Sequence, residues 1–157
     1  MNKTNLIHGK LRKAQMIEVV LFDLDDVLVH EGFDDLILSS ENPDQYLCEE
    51  TISVLQHVKN LGLKMALVFH NPQGSKIIDK MGLTNYFSSI QSYSAYTKFF
   101  HLSDTIDALK VNASNCLFCD DLERNLRMAE SLGILTLLVN GEHGISLKSI
   151  RSKLEAK

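Results

Sequence analysis

The sequence predicts a doubly wound α/β domain, in which helices cover both faces of a parallel β-sheet. Apolar runs of strand length alternate along the chain with segments whose apolar residues recur at helical spacing. The runs are continuously apolar, as expected for strands that are buried on both faces, and such strands are typical of parallel sheets. No internal repeat or low-complexity segment interrupts this alternation.

The first half of the chain is predicted to contain three strands and two helices. The dipeptide Asn71-Pro72 ends the second strand. Gly62 and Gly82 follow the two helices, where glycine commonly ends a helix. In chain order we expect a strand at 17–22 (IEVVLF), a helix from Cys48 to Leu61, a strand at 64–69 (KMALVF), a helix from Ser75 to Met81, and a weaker strand from Phe87 to Gln91.

The second half is predicted to contain three helices and two strands. Gly133 ends one of these helices and directly precedes the last strand. In chain order we expect a helix from Lys98 to Leu109, a strand at 115–119 (NCLFC), a helix from Leu122 to Leu132, a strand at 134–139 (ILTLLV), and a helix from Leu147 to Leu154.

The composition is that of an ordinary globular domain. The chain has 157 residues, 45% of them hydrophobic and 23% charged, and its net charge is −4 at pH 7. This charge gives no general attraction to nucleic acid or to an anionic membrane. No apolar run approaches the ~20 residues of a membrane span. We therefore expect neither a membrane nor a nucleic-acid partner.

The regular pattern begins at Ile17, so we expect a single domain over residues 17–157. Residues 1–16 are basic and contain no acid, and we interpret them as a flexible leader. A nucleic-acid-binding arm and a targeting peptide are the alternatives. The basic side chains of this leader are Lys3, Lys10, Arg12 and Lys13.

The cysteines indicate a reducing compartment. There are three of them, an odd and sparse set that argues against a disulfide framework, so we predict a cytoplasmic protein. Cys116 and Cys119 form a C-x-x-C pair. They lie inside an apolar strand without a second pair of ligands, and we predict that they are ordinary buried thiols.

The first strand ends in a concentration of acids. Asp23, Asp25 and Asp26 follow the run VVLF within four positions. On an extended backbone, Asp23 and Asp25 point to one side and Leu24 to the other. Carboxylates this close repel each other, so two that point to one place indicate a cation or a phosphoryl group between them.

Other polar residues are expected at the same edge of the sheet. In doubly wound folds the ligand site lies beyond the carboxyl ends of the strands. His70 and Asn71 follow the second strand, Asp120 and Asp121 follow NCLFC, and Lys98 begins a helix on the same edge. Taken alone, the acidic pair is more typical of a helix start than of a ligand site, and the lysine is more typical of an exposed surface.

This set of residues permits phosphoryl transfer. Clustered acids without a histidine-rich or cysteine-rich partner favour a hard cation such as Mg²⁺. One carboxylate can then act as nucleophile toward phosphorus, and a second can move protons. A nearby lysine offsets phosphate charge.

The motifs resemble a known family, the haloacid dehalogenase-like (HAD) phosphotransferases. FDLDDVL is similar to the family's first motif, an apolar strand followed by Asp-x-Asp. Downstream, Lys-x-x-His, Asp-Asp-x-x-x-Asn, Leu-Gly and the tail HGISLKSI look like its magnesium-dependent phosphatase branch. The similarity runs from about Ile17 to the C-terminus and implies a Rossmann-like, HAD-like fold.

The resemblance also implies roles for particular residues in a Mg²⁺-dependent phosphomonoester hydrolase. Asp23 would be the nucleophile and a metal ligand, and Asp25 the acid and base, with its backbone carbonyl on the metal. Lys98 would bind the phosphate. Asp121 would complete the metal shell, with Asp120 bound directly or through water. Asp26 is interpreted as a solvated neighbour.

One position departs from the family pattern. The second family motif carries a Ser or Thr that donates a hydrogen bond to the phosphoryl group, and alignment of KMALVFHN puts Phe69 there. His70 or Asn71 could replace the missing donor from the next positions, with help from backbone amides. The alternative is a catalytically weak family member retained as a binding or regulatory module, since loss of one donor costs on the order of 10²–10³ in rate.

The interval between the first two motifs is too short for a substantial cap domain. It consists of EGFDDLILSSENPDQYL and one helix, and we interpret its acidic run as a solvated surface loop. The site would be open to a phosphorylated small molecule or to an exposed phosphorylated macromolecule. A receiver domain also combines acids and a lysine on this fold, but its acceptor aspartate ends the middle strand. Action on nucleic-acid ends would rest on the leader alone.

Overall fold

The computed structural model describes residues 16–92 and 98–155. Its described strands form one parallel sheet with the order β3-β2-β1-β4-β5, which confirms the doubly wound α/β prediction. The expected leader falls almost entirely outside the described residues. The strands are β1 (Val19–Phe22), β2 (Lys64–Phe69), β3 (Ser89–Ser92), β4 (Cys116–Asp120) and β5 (Leu135–Leu138).

Helices connect the strands in sequence. Each helix expected from the pattern is present within about three residues of its predicted ends, and one short helix, α1, was not predicted. Three 3₁₀ turns, at Pro43–Tyr46, Thr84–Tyr86 and Ala113–Asn115, complete the connections. The helices are α1 (Asp34–Ser39), α2 (Thr51–Asn60), α3 (Gly74–Lys80), α4 (Lys98–Ala108), α5 (Glu123–Ser131) and α6 (Leu147–Leu154).

The sheet has a hydrophobic core on each face. Val20 and Phe22 of β1 belong to one core, and Val19 and Leu21 to the other. Residues of α1, α2, α3 and α6 fill the first core, and residues of α4 and α5 fill the second. This double coverage is why the strands are apolar throughout rather than at alternate positions.

The predicted helix from Cys48 begins later, at Thr51. The N–H of Cys48 donates to Leu28 O at 2.9 Å, and Thr51 Oγ1 donates to the same carbonyl at 2.7 Å. These contacts hold Cys48 and Thr51 against the segment that follows β1, and residues 49 and 50 form a turn between them. The segment between β1 and α2 contains only α1 and one 3₁₀ turn, so the described residues include no separate cap domain.

The cysteines are free and buried, as predicted for Cys116 and Cys119. Burial raises the pKa of Cys116 to about 12, with a smaller contribution from Glu18, so the thiol stays protonated near neutral pH. Among the described helices, none combines the length and apolar character needed to cross a membrane.

Candidate active site

The centre of the site is a buried lysine held between two carboxylates. The Nζ atom of Lys98 lies 2.9 Å from Asp23 Oδ1 and 2.9 Å from Asp120 Oδ2. The exposed fractions of the side chains are 4% for Lys98, 12% for Asp23 and 0% for Asp120. Phe22 pairs with Cys119 in the parallel register of β1 and β4, which brings the following residues, Asp23 and Asp120, side by side.

Both carboxylate oxygens of Asp120 accept hydrogen bonds from groups of the protein. Besides Lys98, its Oδ2 accepts a hydrogen bond from Asn125 Nδ2 at 3.0 Å, and its Oδ1 accepts one from the N–H of Leu122 at 2.9 Å. These contacts join the end of β4 to the starts of α4 and α5. Asp120 therefore fixes the position of Lys98, and the expectation that it also binds metal stays a prediction.

A set of carboxylate oxygens suited to a metal ion lies beside the lysine. One oxygen from each of Asp23, Asp120 and Asp121 lies within 4.8 Å of the other two. Asp121 is less buried than Asp120 and lines an open cleft together with Asp23. Carboxylate oxygens at such spacing are suitable ligands for a hard cation, which would offset negative charge that a single lysine leaves unbalanced.

Burial changes the acidity of this set. It raises the pKa of Asp23 to about 6, although Lys98 opposes the change and the Asp120 carboxylate adds to it. Burial likewise raises the pKa of Asp121 to about 6, with further contributions from Asp120 and Asp23. A bound cation would favour the ionised carboxylates and lower both pKa values.

Asp25 lies in a tight turn directly after β1. The carbonyl of Leu24 accepts hydrogen bonds from the N–H groups of Val27, Leu28 and Val29. Leu24 is buried in the core, while Asp23 and Asp25 both line the cleft, as the alternation in the sequence predicts. The carboxylate of Asp25 does not belong to the set of metal-compatible oxygens. The expected contact between its backbone carbonyl and the metal stays a prediction.

Asp26 has a structural function in the same turn. It adopts a φ of 60°, a backbone conformation that aspartate tolerates better than most residues. Its Oδ1 accepts a hydrogen bond from the N–H of Glu31 at 3.0 Å. The side chain thus stabilises the turn that carries Asp25, which the interpretation as a solvated neighbour did not include.

The acidity of Asp25 is also strongly changed by its surroundings. Burial and, next in size, the Asp34 carboxylate raise its pKa to about 7. Asp23 and Glu31 add to this, and a hydrogen bond from Asn71 opposes it. A carboxyl group that titrates near neutral pH is suited to both giving and taking a proton.

At the end of β2, Phe69 and the two residues that follow it face different environments. The Phe69 side chain is 1% exposed and belongs to the core, whereas His70 and Asn71 line the cleft. Phe69 therefore contributes no group to the cleft. Asn71 Nδ2 lies 2.9 Å from Asp34 Oδ2 and 3.5 Å from Asp25 Oδ1. The prediction that Asn71 binds phosphate stays a prediction.

The cleft has a volume of about 810 Å³ and opens to solvent at the carboxyl ends of the strands. The sequence pattern did not indicate that Glu31 and Asp34 line it, because an acidic run in a short connection is typical of a solvated loop. Arg124 and Met128 were also missed, since nothing in their spacing separates them from other helical surface residues. The wall of the cleft includes Asp23, Asp25, Glu31, Gly32, Asp34, His70, Asn71, Pro72, Lys98, Asp121, Leu122, Arg124, Asn125 and Met128.

Comparisons with known proteins found similarity in structure. No protein-family model and no curated protein matches the sequence. A β-phosphoglucomutase from Clostridium difficile matches over 89% of this chain and 98% of its own, with a TM-score of 0.71 and 14% identity. A HAD-superfamily hydrolase of subfamily IA from Geobacter sulfurreducens matches over 90% of this chain and 100% of its own, with a TM-score of 0.69 and 13% identity.

A third structure is the N-terminal part of a Bacteroides fragilis protein, which contains a phosphatase domain complexed with Mg. It matches 91% of this chain and 41% of its own, with a TM-score of 0.70 and 14% identity. At these identities the likeness is one of fold. The chain has a HAD-like α/β fold, which confirms at that level the resemblance drawn from its motifs.

Proposed function

We propose that this chain is a Mg²⁺-dependent phosphomonoester hydrolase that forms an aspartyl-phosphate on Asp23. The observation that carries the proposal is the joint placement of Asp23, Lys98 and Asp121 at the carboxyl end of the central strand. Lys98 lies 2.9 Å from Asp23, which in turn shares a set of closely spaced oxygens with Asp121. HAD-like neighbours that include phosphatases support the same reaction class.

Mg²⁺ fits the donor set that the chain offers. Asp23 and Asp121 would hold it, with the backbone carbonyl of Asp25, and Asp120 would contribute directly or through water. The donors are all hard oxygens, as Mg²⁺ prefers. When bound, the cation supplies positive charge beside the nucleophile and the phosphate oxygens.

The residues of the chain divide the reaction into two displacements. An Asp23 oxygen attacks phosphorus while the bond to the ester oxygen breaks, and Asp25 gives its proton to the departing alcohol. Asp25 then takes a proton from a water molecule that attacks the phosphorus of the aspartyl-phosphate. This step releases inorganic phosphate, restores the carboxylate of Asp23 and leaves Asp25 protonated again.

Lys98 and His70 are assigned to the phosphate in this proposal. The Lys98 ammonium lies beside the nucleophile and offsets negative charge on the transferred group. His70 lines the cleft one residue after Phe69, the position at which the family pattern has a hydroxyl donor. The open cleft suits a phosphorylated small molecule or an exposed phosphorylated group of a macromolecule, and the free, buried cysteines suit a cytoplasmic location.

A second candidate function is a catalytically weak binding or regulatory module. The observation in its favour is Phe69, whose ring lies in the core, so that the last residue of β2 presents no hydroxyl donor to the cleft. This candidate predicts that Mg²⁺ and phosphate analogues bind while turnover is negligible. Calorimetric titration of the full chain with each of them, beside the activity assay, separates the two candidates.

The test of the main proposal is hydrolysis of p-nitrophenyl phosphate with Mg²⁺ or with a chelator. Wild type, Asp23→Asn and a control variant, Asp104→Asn on the exposed side of α4, are compared. We expect metal-dependent turnover that falls by at least about 10³-fold in Asp23→Asn, because the nucleophile is removed. Asp104→Asn should retain the wild-type rate. Equal rates in wild type and Asp23→Asn would contradict the proposal.

A further inference from the structure

The segment between β1 and α2 contributes a side chain to the cleft. Asp34 is the first residue of α1, and its Oδ2 accepts a hydrogen bond from Asn71 Nδ2 at 2.9 Å. The same Nδ2 lies 3.5 Å from Asp25 Oδ1. One amide group therefore bridges a carboxylate of α1 and the carboxyl group that the proposed reaction uses as its acid.

The orientation of the Asn71 amide follows from its other contacts. Asn71 Oδ1 accepts a hydrogen bond from the N–H of Gln73 at 2.8 Å. The reversed amide would set its oxygen against the carboxylates of Asp34 and Asp25 and its NH₂ against a donor. The NH₂ group must therefore face the two carboxyl groups, and its two hydrogens allow one bond to each.

The position of Asp34 is set by packing rather than by a free loop. Ile37 of the same helix is 0% exposed and belongs to the core, and α1 packs on α3. A side chain on an anchored helix is restrained before substrate binds, which lowers the entropic cost of aligning catalytic groups.

We propose that Asp34 is a positioning residue that acts on Asp25 through Asn71. The inference rests on the proposed function, in which Asp25 protonates the leaving oxygen. Asp34 holds the Asn71 amide, and the amide restrains the Asp25 carboxyl group at Oδ1. The 3.5 Å contact is long, as catalytic hydrogen bonds often are before substrate binds.

A positioning effect on the acid depends on the leaving group. Expulsion of p-nitrophenolate needs little help from an acid, whereas expulsion of phenolate needs more, because phenol is the weaker acid. The two aryl phosphates are otherwise similar in shape and charge. General instability or a weakened phosphate site would lower both rates to a similar extent, so the ratio of the two rates isolates the acid.

The experiment measures kcat/KM for p-nitrophenyl phosphate and phenyl phosphate in wild type, Asp34→Ala and Asp35→Ala. Asp35 is the matched control, since it is the next residue of α1 and is exposed. We expect Asp34→Ala to lower kcat/KM for phenyl phosphate by about tenfold. For p-nitrophenyl phosphate the loss should stay within about twofold, and Asp35→Ala should leave both values unchanged.

A double-mutant cycle tests the route through Asn71. Asn71→Ala should show the same dependence on the leaving group, and the double variant with Asp34→Ala should lose no more than Asn71→Ala alone. Additive losses would show that Asp34 acts by another route and would overturn the inference.

A readout independent of turnover is the Asn71 side-chain NH₂ signal in ¹⁵N NMR spectra, assigned by its loss in Asn71→Ala. We expect Asp34→Ala to shift this signal and speed its hydrogen exchange, and Asp35→Ala to leave it unchanged. An unchanged signal in Asp34→Ala, or equal losses on both substrates, would overturn the inference. Absence of Asp23-dependent turnover in wild type would instead overturn the proposed function, together with the catalytic role given to Asp34.

Discussion

Lys98 illustrates how the environment gives a common residue a specific task. A lysine in a sequence is most often exposed, yet here the side chain is 4% exposed and contacts two carboxylates. Its Nζ also lies 5.4 Å from the centroid of the Phe118 ring. Burial of an ammonium group is costly unless it is paired, and the two ion pairs and the ring offset that cost.

The role of Phe69, like that of Lys98, depends on what surrounds its side chain. Alignment to the family motif assigns it to a phosphate-donor position, but the ring points into the core beneath the cleft. A hydroxyl placed at this position by mutation would therefore be buried away from the substrate.

The first prediction concerns Phe69→Ser. We expect the free energy of unfolding to fall by about 3–5 kcal/mol, because a cavity replaces the ring and a hydroxyl is buried. The rate per folded molecule should not rise. Urea unfolding and kcat measurement check both expectations, with His70→Ser, at the cleft, as the control that leaves stability nearly unchanged. A stable Phe69→Ser protein with higher kcat would show that the side chain reaches the substrate after all.

At the scale of elements, β2 and α3 fit together through the same ring. Gly74, the first residue of α3, is buried, and a Cβ atom built on it would collide with the Phe69 ring. Alanine is normally better than glycine within a helix by about 1 kcal/mol. The contact should reverse that preference here, since a buried aromatic ring has little room to move.

The second prediction concerns Gly74→Ala. We expect it to lower the free energy of unfolding by about 1–3 kcal/mol through overpacking. Ser75→Ala, an exposed position of the same helix, should be neutral or slightly stabilising. Chemical denaturation provides the values.

The same contact predicts coupling between two positions. In a Phe69→Leu background, Gly74→Ala should cost less than in wild type, because the shorter side chain leaves space for the methyl group. Equal costs in both backgrounds would mean that the ring is not what limits the space at Gly74.

At the scale of the whole molecule, the cleft concentrates carboxyl groups that bind protons more tightly than ordinary aspartates do. The pKa values of Asp23 and Asp121 are raised to about 6, and that of Asp25 to about 7, in each case chiefly by burial. The unfolded chain would lose these protons near the ordinary pKa of 3.8. Between about pH 4 and 7 the folded protein therefore binds more protons than the unfolded chain.

The third prediction follows from this difference in bound protons. These carboxyls contribute stability that is present below about pH 4 and is lost as the pH rises to about 7. In the presence of a chelator we expect this loss to be on the order of 1–3 kcal/mol. Unfolding by urea at a series of pH values measures it, and Asp23→Asn should show a shallower decline. A metal-free protein whose stability rises over this range would contradict the assignment.

Mg²⁺ should stabilise the folded protein more as the pH rises, which is opposite to the pH dependence of the metal-free protein. A cation binds the ionised carboxylates, so it should raise Tm more at about pH 7.5 than at about pH 5. Asp104→Asn should respond as wild type does, whereas Asp121→Asn should lose most of the response. Thermal unfolding with and without Mg²⁺ checks this expectation, and an equal response of wild type and Asp121→Asn would exclude Asp121 as a ligand.

Much of the fold could be predicted from local features. Continuous apolar runs indicated strands with two covered faces, and glycines 62, 82 and 133 marked helix ends. The short helix α1 was missed, because its single fully buried residue, Ile37, leaves too little periodicity to separate it from a loop. Helix ends also differ from the predicted ones where tertiary hydrogen bonds compete with those of the helix. One example is Thr51, whose hydroxyl donates to Leu28 O.

The sequence by itself determined the order along the chain of the strands and of the longer helices, and the chemistry available at the strand ends. Both follow from residue type and spacing, which act over a few neighbouring positions. Only the tertiary structure decided that Phe69 lies in the core, that Asp120 holds Lys98, and that Asp34 reaches Asn71. Those outcomes depend on packing between segments far apart in the chain, and local pattern carries no information about which of them meet.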